Sequence, residues 1–517
     1  MVTRKPPAPV EPPKKASKRY ASGENTRILS DWVMADADAD ELIVQDAGRT
    51  RARARSLRRD NPYFRRFLAE LAANVIGSDG IKLKMQARRP NKGRYANSPD
   101  NHTNKIIEDA WHDFGHAKNW DASRQMSRIE WSRLALQTVA TAGELPIRLL
   151  RGFAKNDFRF AVQGFEPDHL PHNHNRDPVN GNPRIRGGIE MDAYGEPTAF
   201  HILKNHPGRG AHFHDDFSET IRVQSESYRK MSGERLSDSM LLAFVRDEFG
   251  QSRGMSWATT ALRMLRQLSM FEESALVASR IAASSMFFIE PSELTAQYGE
   301  EEEEEAPDGS TYMDAQPGSG HKLLPGEKLS SWSPSQPTNT YESFRKGILR
   351  GISAGLLSNY SVIAADYESA NYSSMRAAAL SEREMWKMIQ QWWICSVEEP
   401  VFRAWLEMAM ISGQVPIAAE DFDRVCCASF QGRRWAWVDP MKDVQAAREE
   451  ITLGTNSLQA IARERGKDLR DIAEEMREDA AVAEGTDGEQ PLGFSESFLP
   501  EKEKEPTMAQ KEKEVLS

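Results

Sequence analysis

Apolar positions along this chain switch from helical spacing to alternation and back again. In GRTRARARSLRRDNPYFRRFLAELAANVIG, residues Phe64, Phe67, Leu68 and Leu71 fall three or four apart and predict an amphipathic helix. TNKIIEDAWHDF and RIEWSRLALQTVATAG also read as helices. LPIRLLRG, FRFAVQGFE, IRGGIEM, PTAFHIL and MLLAFV read as strands, punctuated by Gly, Pro and Asn. The stretch from about 102 to 250 is therefore mixed α+β.

Helical spacing then returns. Between Gly254 and Pro291 there is no glycine or proline, and Trp257, Ala261, Leu265, Leu268, Phe271, Ala275, Ala278 and Ile281 share one face. A helix of about 29 residues here would be roughly 43 Å long. After SMFFIE come the acidic run Glu300, Glu301, Glu302, Glu303, Glu304 and Glu305, a Gly-rich stretch and KLLPGEKLSSW, which read as a small β-containing insert. A second helical face follows, with Tyr341, Phe344, Ile348, Ile352 and Leu356. Gly347, Gly351 and Gly355 stripe a neighbouring face. Three interior glycines withhold roughly 3 kcal/mol from an isolated helix, so the stripe predicts tight packing or flexure. Arg345, Lys346 and Arg350 make it too charged to span lipid.

A polar, tyrosine-rich loop, LSNYSVIAADYESANYSS, precedes another long helix beginning near Ser373 or Ser374, either of which could cap it. Met375, Ala379, Trp386, Ile389 and Trp393 line one side. Beyond Trp437 the chain reads as helical to about 483, with breaks at Gly454 and Gly466.

The wording of several segments is specific. SPSQPTNTYESFRKGILRGISAGL, DYESANYSSMRAA, WVDPMKDVQAAREEI, RDNPYFRRFLAELAANVIGSDGIK, NPRIRGGIEMDAYGEPTAFHI and VRDEFGQSRGMSW together span most of residues 45 to 475. In these the chain resembles the portal proteins of lambda-type tailed bacteriophages. The resemblance implies a non-enzymatic ring, usually of twelve copies, at one capsid vertex, assembled in the host cytoplasm. Double-stranded DNA passes through its centre without sequence-specific binding. The terminase large subunit docks during packaging, with head–tail connector proteins and the major capsid protein as further partners.

Mapped by that resemblance, 1–25 is a disordered basic tail and 26–253 an α+β wing. Residues 254–285 are stem helix 1, 286–339 an α/β clip, and 340–357 stem helix 2. Residues 358–372 form a tunnel loop, 373–439 wing helices, 440–483 a helical crown, and 484–517 a disordered charged tail. Asn359, Tyr360, Asp366, Tyr367, Glu368, Asn371 and Tyr372 would narrow the bore. Gly347, Gly351 and Gly355 would pack the stem, and Glu300 to Glu305 would lie where partners dock.

Composition agrees with that expectation. The formal net charge is −10, which suits a conduit that surrounds a polyanion better than a protein that grips one. Arg49, Arg51, Arg53, Arg55, Arg58 and Arg59 read as a solvated helix face, or as contacts to DNA or to acidic groups on a neighbouring subunit. Cys395, Cys426 and Cys427 give no disulfide framework. The N-terminus lacks the apolar core of a secretory signal, and no stretch approaches 18 uninterrupted apolar residues.

Other motifs point elsewhere. Gly250-Gln-Ser252-Arg-Gly254 fits the nucleophile elbow of an esterase-like serine hydrolase, but the only later histidine is His321, in a glycine-rich loop. Residues 457–476 have the spacing of a helix-turn-helix regulator, with Ala462, Gly466 and Ile472 in register. Asp468, Asp471, Glu474 and Glu475 on the would-be recognition helix oppose phosphates. His169, His172, His174, His212 and His214 read as loop histidines rather than metal ligands. No phosphate-loop motif, cofactor site or metal site is expected.

Overall fold

A computed structural model describes residues 38–90, 98–178, 182–208, 220–232, 237–283, 287–290, 328–331, 341–368, 371–435, 440–464, 469, 472–473 and 476–477. In chain order the first elements are α1 (Ala39–Asp60), α2 (Pro62–Val75), β1 (Lys82–Met85), α3 (Asn101–Phe114), α4 (Ala117–Trp120) and α5 (Arg128–Ala142). Then come β2 (Glu144–Arg151), β3 (Phe160–Gly164), β4 (Arg184–Arg186), β5 (Ile189–Met191), β6 (Pro197–Leu203), β7 (Thr220–Ser225), α6 (Glu226–Ser232) and β8 (Ser239–Phe244). The remainder is α7 (Leu262–Ala283), β9 (Phe287–Glu290), β10 (Lys328–Ser331), α8 (Tyr341–Gly355), α9 (Tyr360–Ala364), α10 (Tyr372–Trp393), α11 (Glu399–Ile411), α12 (Phe422–Val425), β11 (Ala428–Gln431), α13 (Pro440–Thr452) and α14 (Leu458–Glu464). The chain is α+β, as its patterning predicts.

Seven strands form one sheet in the order β3-β2-β8-β7-β6-β5-β4, antiparallel throughout except for β7 beside β8. β1 pairs with β11, bringing the two halves of the chain together across more than 300 residues. β9 pairs with β10. The main core gathers α2, α3, α5, β2, β3, α10 and α11 around Trp111, Trp120, Trp405, Phe114 and Phe402. Trp111 meets Trp405 edge-on at 4.9 Å, a favoured aromatic geometry.

Local chemistry sets several boundaries. Asn61 ends α1 and caps α2 by accepting from the Phe64 amide at 2.8 Å, with Pro62 at the first helical position. Ser127 and Glu130 form a capping box on α5, and Gly143 closes that helix at φ 96°. Asn371, not Ser373 or Ser374, caps α10: its side chain accepts from the Ser374 amide at 2.8 Å. α10 runs into α11 through a π-turn at Ile394–Glu398, just before Pro400 removes a donor.

Two expectations are corrected. The helix foreseen from 254 begins at Leu262. Residues 257–261 form turns closed on themselves, the Ala261 amide donating to the Ala258 carbonyl at 2.8 Å, while the Trp257 amide donates to the Ala140 carbonyl of α5 at 3.1 Å. The arginine run lies within α1, and of its members Arg51 is 1% exposed rather than solvated.

Candidate functional site

α7 and α8 lie antiparallel. Thr260, just before α7, donates to the carbonyl of Gly355 at the end of α8 (2.9 Å), while Phe271 stacks on Tyr341 at the start of α8. The glycine stripe lets them meet. A β carbon on Gly351 would come within 2.7 Å of the Met264 methyl, and one on Gly355 within 3.1 Å of the Thr260 hydroxyl. One on Gly347 would meet open space, so two of the three predicted packing glycines face α7 or the turn before it. Tyr63 of α2 ties the pair to the body, donating to Glu272 at 2.6 Å and accepting from Arg345 at 2.9 Å. That bond from Arg345 is the leading reason its pKa is raised; burial, then the bond to Glu272, raises that of Tyr63.

The segment after α8 is partly folded back. Leu357 and Ala365 bracket α9 in the left-handed region, at φ 53° and 52°, uncommon for residues with a β carbon. Ile363 is buried in the main core. Asn359 caps α9 by accepting from the Ser361 amide at 3.0 Å, and Glu382 of α10 accepts from the Asn359 amide at 3.1 Å. Tyr360 donates to Asp366 at 2.7 Å, Lys346 stands 3.7 Å from the same carboxylate, and Arg350 covers the Tyr360 ring. The bond from Tyr360 is the main cause of the lowered Asp366 pKa. Thus Asn359, Tyr360 and Asp366 are structural clasps, whereas Tyr367, Glu368, Asn371 and Tyr372 are exposed. Glu300 to Glu305 lie outside the described residues.

A buried charge network went unforeseen. Glu144, fully buried at the start of β2, accepts from Arg51 at 2.9 Å, from the Arg253 Nε at 2.8 Å and from the Gly254 amide at 3.0 Å. Burial alone would raise its pKa; Arg253, then Arg51, reverse the sign and hold it below the usual carboxylate range. Arg51 also donates to Asp168 at 3.0 Å, and Arg55 joins Asp168 to Glu166. Asp168 is held down to about 2 by the two arginines, against burial. His172 packs on Gly48 beside this network, and burial followed by Arg253 and Arg51 pushes it down to about 4. The sequence signals were slight: the i, i+4 spacing of Arg51 and Arg55, and one carboxylate opening an apolar run.

The other motifs do not assemble a site. Ser252 has its hydroxyl buried without a hydrogen-bond partner among the described residues, and its amide donates to Asp40 at 2.8 Å. The elbow-like loop is a joint between α1, β2 and α7, and no base bonds to the serine hydroxyl among the described residues. His169 contacts the Leu203 carbonyl at 2.9 Å and His201 contacts Glu190 at 2.8 Å, so these rings serve the sheet edge. His212 and His214 lie outside the described residues, as does most of the would-be recognition segment after α14. Among the described residues the ligand atoms of His112, Asp113 and His116 come within 4.8 Å of one another, all exposed. No helix among the described residues is long and apolar enough to cross a membrane.

Comparison with known proteins follows the same line. The family described as phage portal protein, lambda family, matches residues 25–390. A probable portal protein of Halomonas phage phiHAP-1 is 29% identical over 477 residues, covering 91% of this chain and 88% of its own. Portal protein B of Escherichia phage lambda is 24% identical over 491 residues, covering 87% of each. Among solved structures, a chain from the neck of a native GTA particle computed with C12 symmetry aligns over 80% of this chain and 93% of its own, at 11% identity. Its TM-score of 0.43 is too low to argue from.

Proposed function

The chain belongs to the lambda family of phage portal proteins, and from that premise we propose how its parts serve a channel at one capsid vertex. Its function is that of a portal, and the family is a structural, non-enzymatic component of the capsid. We read α7 and α8 as the stem helices of a ring subunit, within 254–285 and 340–357. Residues 286–339 are then the clip, 358–372 the tunnel loop, 26–253 and 373–439 the wing, and 440–483 the crown.

One observation carries this reading: the antiparallel α7–α8 pair, with the β9–β10 ribbon joining the outgoing and returning chain beyond it. A segment that leaves the body along one helix and returns along its neighbour is suited to project a docking module. On this reading the clip, with Glu300 to Glu305, receives the terminase large subunit during packaging and the connector proteins afterwards. The wing meets the major capsid protein. Tyr367, Glu368, Asn371 and Tyr372 are the loop residues free to face the bore. Hydroxyls, an amide and a carboxylate there let a phosphate helix slide, because no cation holds it.

Assembly takes place in the host cytoplasm, and the finished ring resides in the virion. Ring closure requires each subunit to present two different surfaces to its neighbours, and obligate interfaces commonly bury about 2,000 Å² or more. Twelve copies of a 58.3 kDa chain would weigh about 700 kDa. Size-exclusion with light scattering tests this: a species of several hundred kilodaltons supports the reading, and a stable single subunit opposes it.

A further inference from the structure

α1, α2 and α5 enclose a cleft of about 700 Å³ lined by four arginines, Arg55, Arg58, Arg59 and Arg65, and by one carboxylate, Glu166. Arg55 already holds Glu166 at 2.6 Å and also reaches Asp168. Among the described residues the Arg58 side chain donates to the uncharged amide oxygen of Gln137, at 3.1 Å. The Arg59 and Arg65 side chains are exposed and make no hydrogen bond or ion pair among the described residues. Three guanidinium charges thus share one concave surface whose one lining carboxylate, Glu166, is already bonded to Arg55 and acts on Arg58 only at longer range, in a chain of net charge −10. Burial lowers the pKa of Arg58, with Glu166 opposing, yet a guanidinium stays charged at any physiological pH.

From this arrangement we infer that the cleft grips the phosphodiester backbone of duplex DNA, away from the channel. The choice of DNA rests on the portal reading; the choice of an oxyanion rests on the cleft itself. Guanidinium forks match phosphate oxygens in pairs. Arg55 and Arg59 stand four residues apart on α1, about 6 Å along the axis, and Arg65 continues the row beyond the Asn61 turn. A row of donors fits a repeating polyanion, whereas one inserted carboxylate would need one fork. None of the three helices belongs to the segments assigned to the bore, so a grip here leaves the conduit itself non-adhesive.

The experiment measures fluorescence anisotropy of a labelled blunt 20-base-pair duplex against the full-length chain at several KCl concentrations. Light scattering on the same samples reports the ring. Each phosphate contact contributes about −0.9 to the slope of log affinity against log salt. Arg59→Gln with Arg65→Gln should therefore flatten the slope by about 1.8, leave ring mass unchanged, and be rescued by lysine at both positions. An unchanged slope overturns the inference. So does a wild-type chain that ignores duplex while the glutamine pair loses ring mass, which would assign the cleft to an acidic surface on a neighbouring subunit. Should the glutamine pair melt early, Arg59→Gln alone decides: a slope flattened by about 0.9 supports the grip, and an unchanged slope overturns it. Absence of rings in every sample would count against the portal reading and leave the slope comparison intact.

Discussion

Gly143 and Gly254 meet backbone to backbone. A β carbon on Gly143 would lie 2.6 Å from the Gly254 carbonyl oxygen, and one on Gly254 would lie 2.7 Å from the Gly143 carbonyl carbon. The contact joins the end of α5 to the turn that leads into α7, so it fixes where the first long helix leaves the body. Gly254→Ala should cost stability at the upper end of the ~1–3 kcal/mol typical of overpacking, since both walls are backbone. Urea midpoints check this, and a wild-type midpoint would refute the contact.

Glu144 answers Arg51 and Arg253 in full burial. Removing one partner of a buried pair costs about 3–5 kcal/mol because the remaining charge is stranded. Glu144→Gln should fall in that range by denaturant unfolding, whereas an exposed control such as Glu384→Gln should change little.

His172 gives the pH dependence a definite window. Its folded pKa is about 4, below the ordinary 6.5, because burial, Arg253 and Arg51 outweigh Glu144 and Asp168. The unfolded chain therefore takes a proton before the folded one does. Stability is full above pH 6.5 and declines as pH falls toward 4, by roughly 3 kcal/mol. Asp168 and Glu190, both held near 2, add losses only below about pH 4.5 as they protonate. His172→Gln should flatten the stability curve between pH 6.5 and 4 while leaving the steeper acid limb.

Gly351→Leu should force α8 away from Met264 of α7. The expected result is a subunit that folds but no longer assembles or passes DNA. Gly351→Ala should be tolerated, because the methyl end of Met264 can swing aside. Assembly and packaging assays on both variants decide it; normal behaviour of the leucine variant removes the stripe from the mechanism.

Asp366→Asn should loosen the α9 clasp by weakening its bonds to Tyr360 and Lys346. Faster limited proteolysis near Tyr367 than in the wild type is the expected outcome. Identical cleavage would mean that Ile363 and the bonds to Glu382 hold the segment without the clasp.

The sequence made the periodic elements legible. Helices α3, α5, α8 and α10 and strands β2, β3, β6 and β8 follow from spacing, because each buries one face and that face repeats. Elements without such a face were hidden: β1 and β11 are four residues each, and their pairing across the chain leaves no local trace. The turns before α7 have helical spacing, yet the Trp257 amide bonds to Ala140 of α5, which no periodicity records. The sequence singles out residues 358–372 as one polar, tyrosine-rich group, but only tertiary packing separates the clasps Asn359, Tyr360 and Asp366 from the exposed Tyr367 and Tyr372. Arg51 was misread because a buried arginine and a solvated one look alike until the carboxylate 93 positions later is placed beside it.

Imaging the purified full-length chain in vitreous ice down its symmetry axis tests the portal architecture most directly. A closed ring of about a dozen subunits with an open centre lined by the 358–372 segment is the predicted result. Single subunits at every protein and salt concentration, or a ring whose lumen is lined by lysine and arginine throughout, would contradict it.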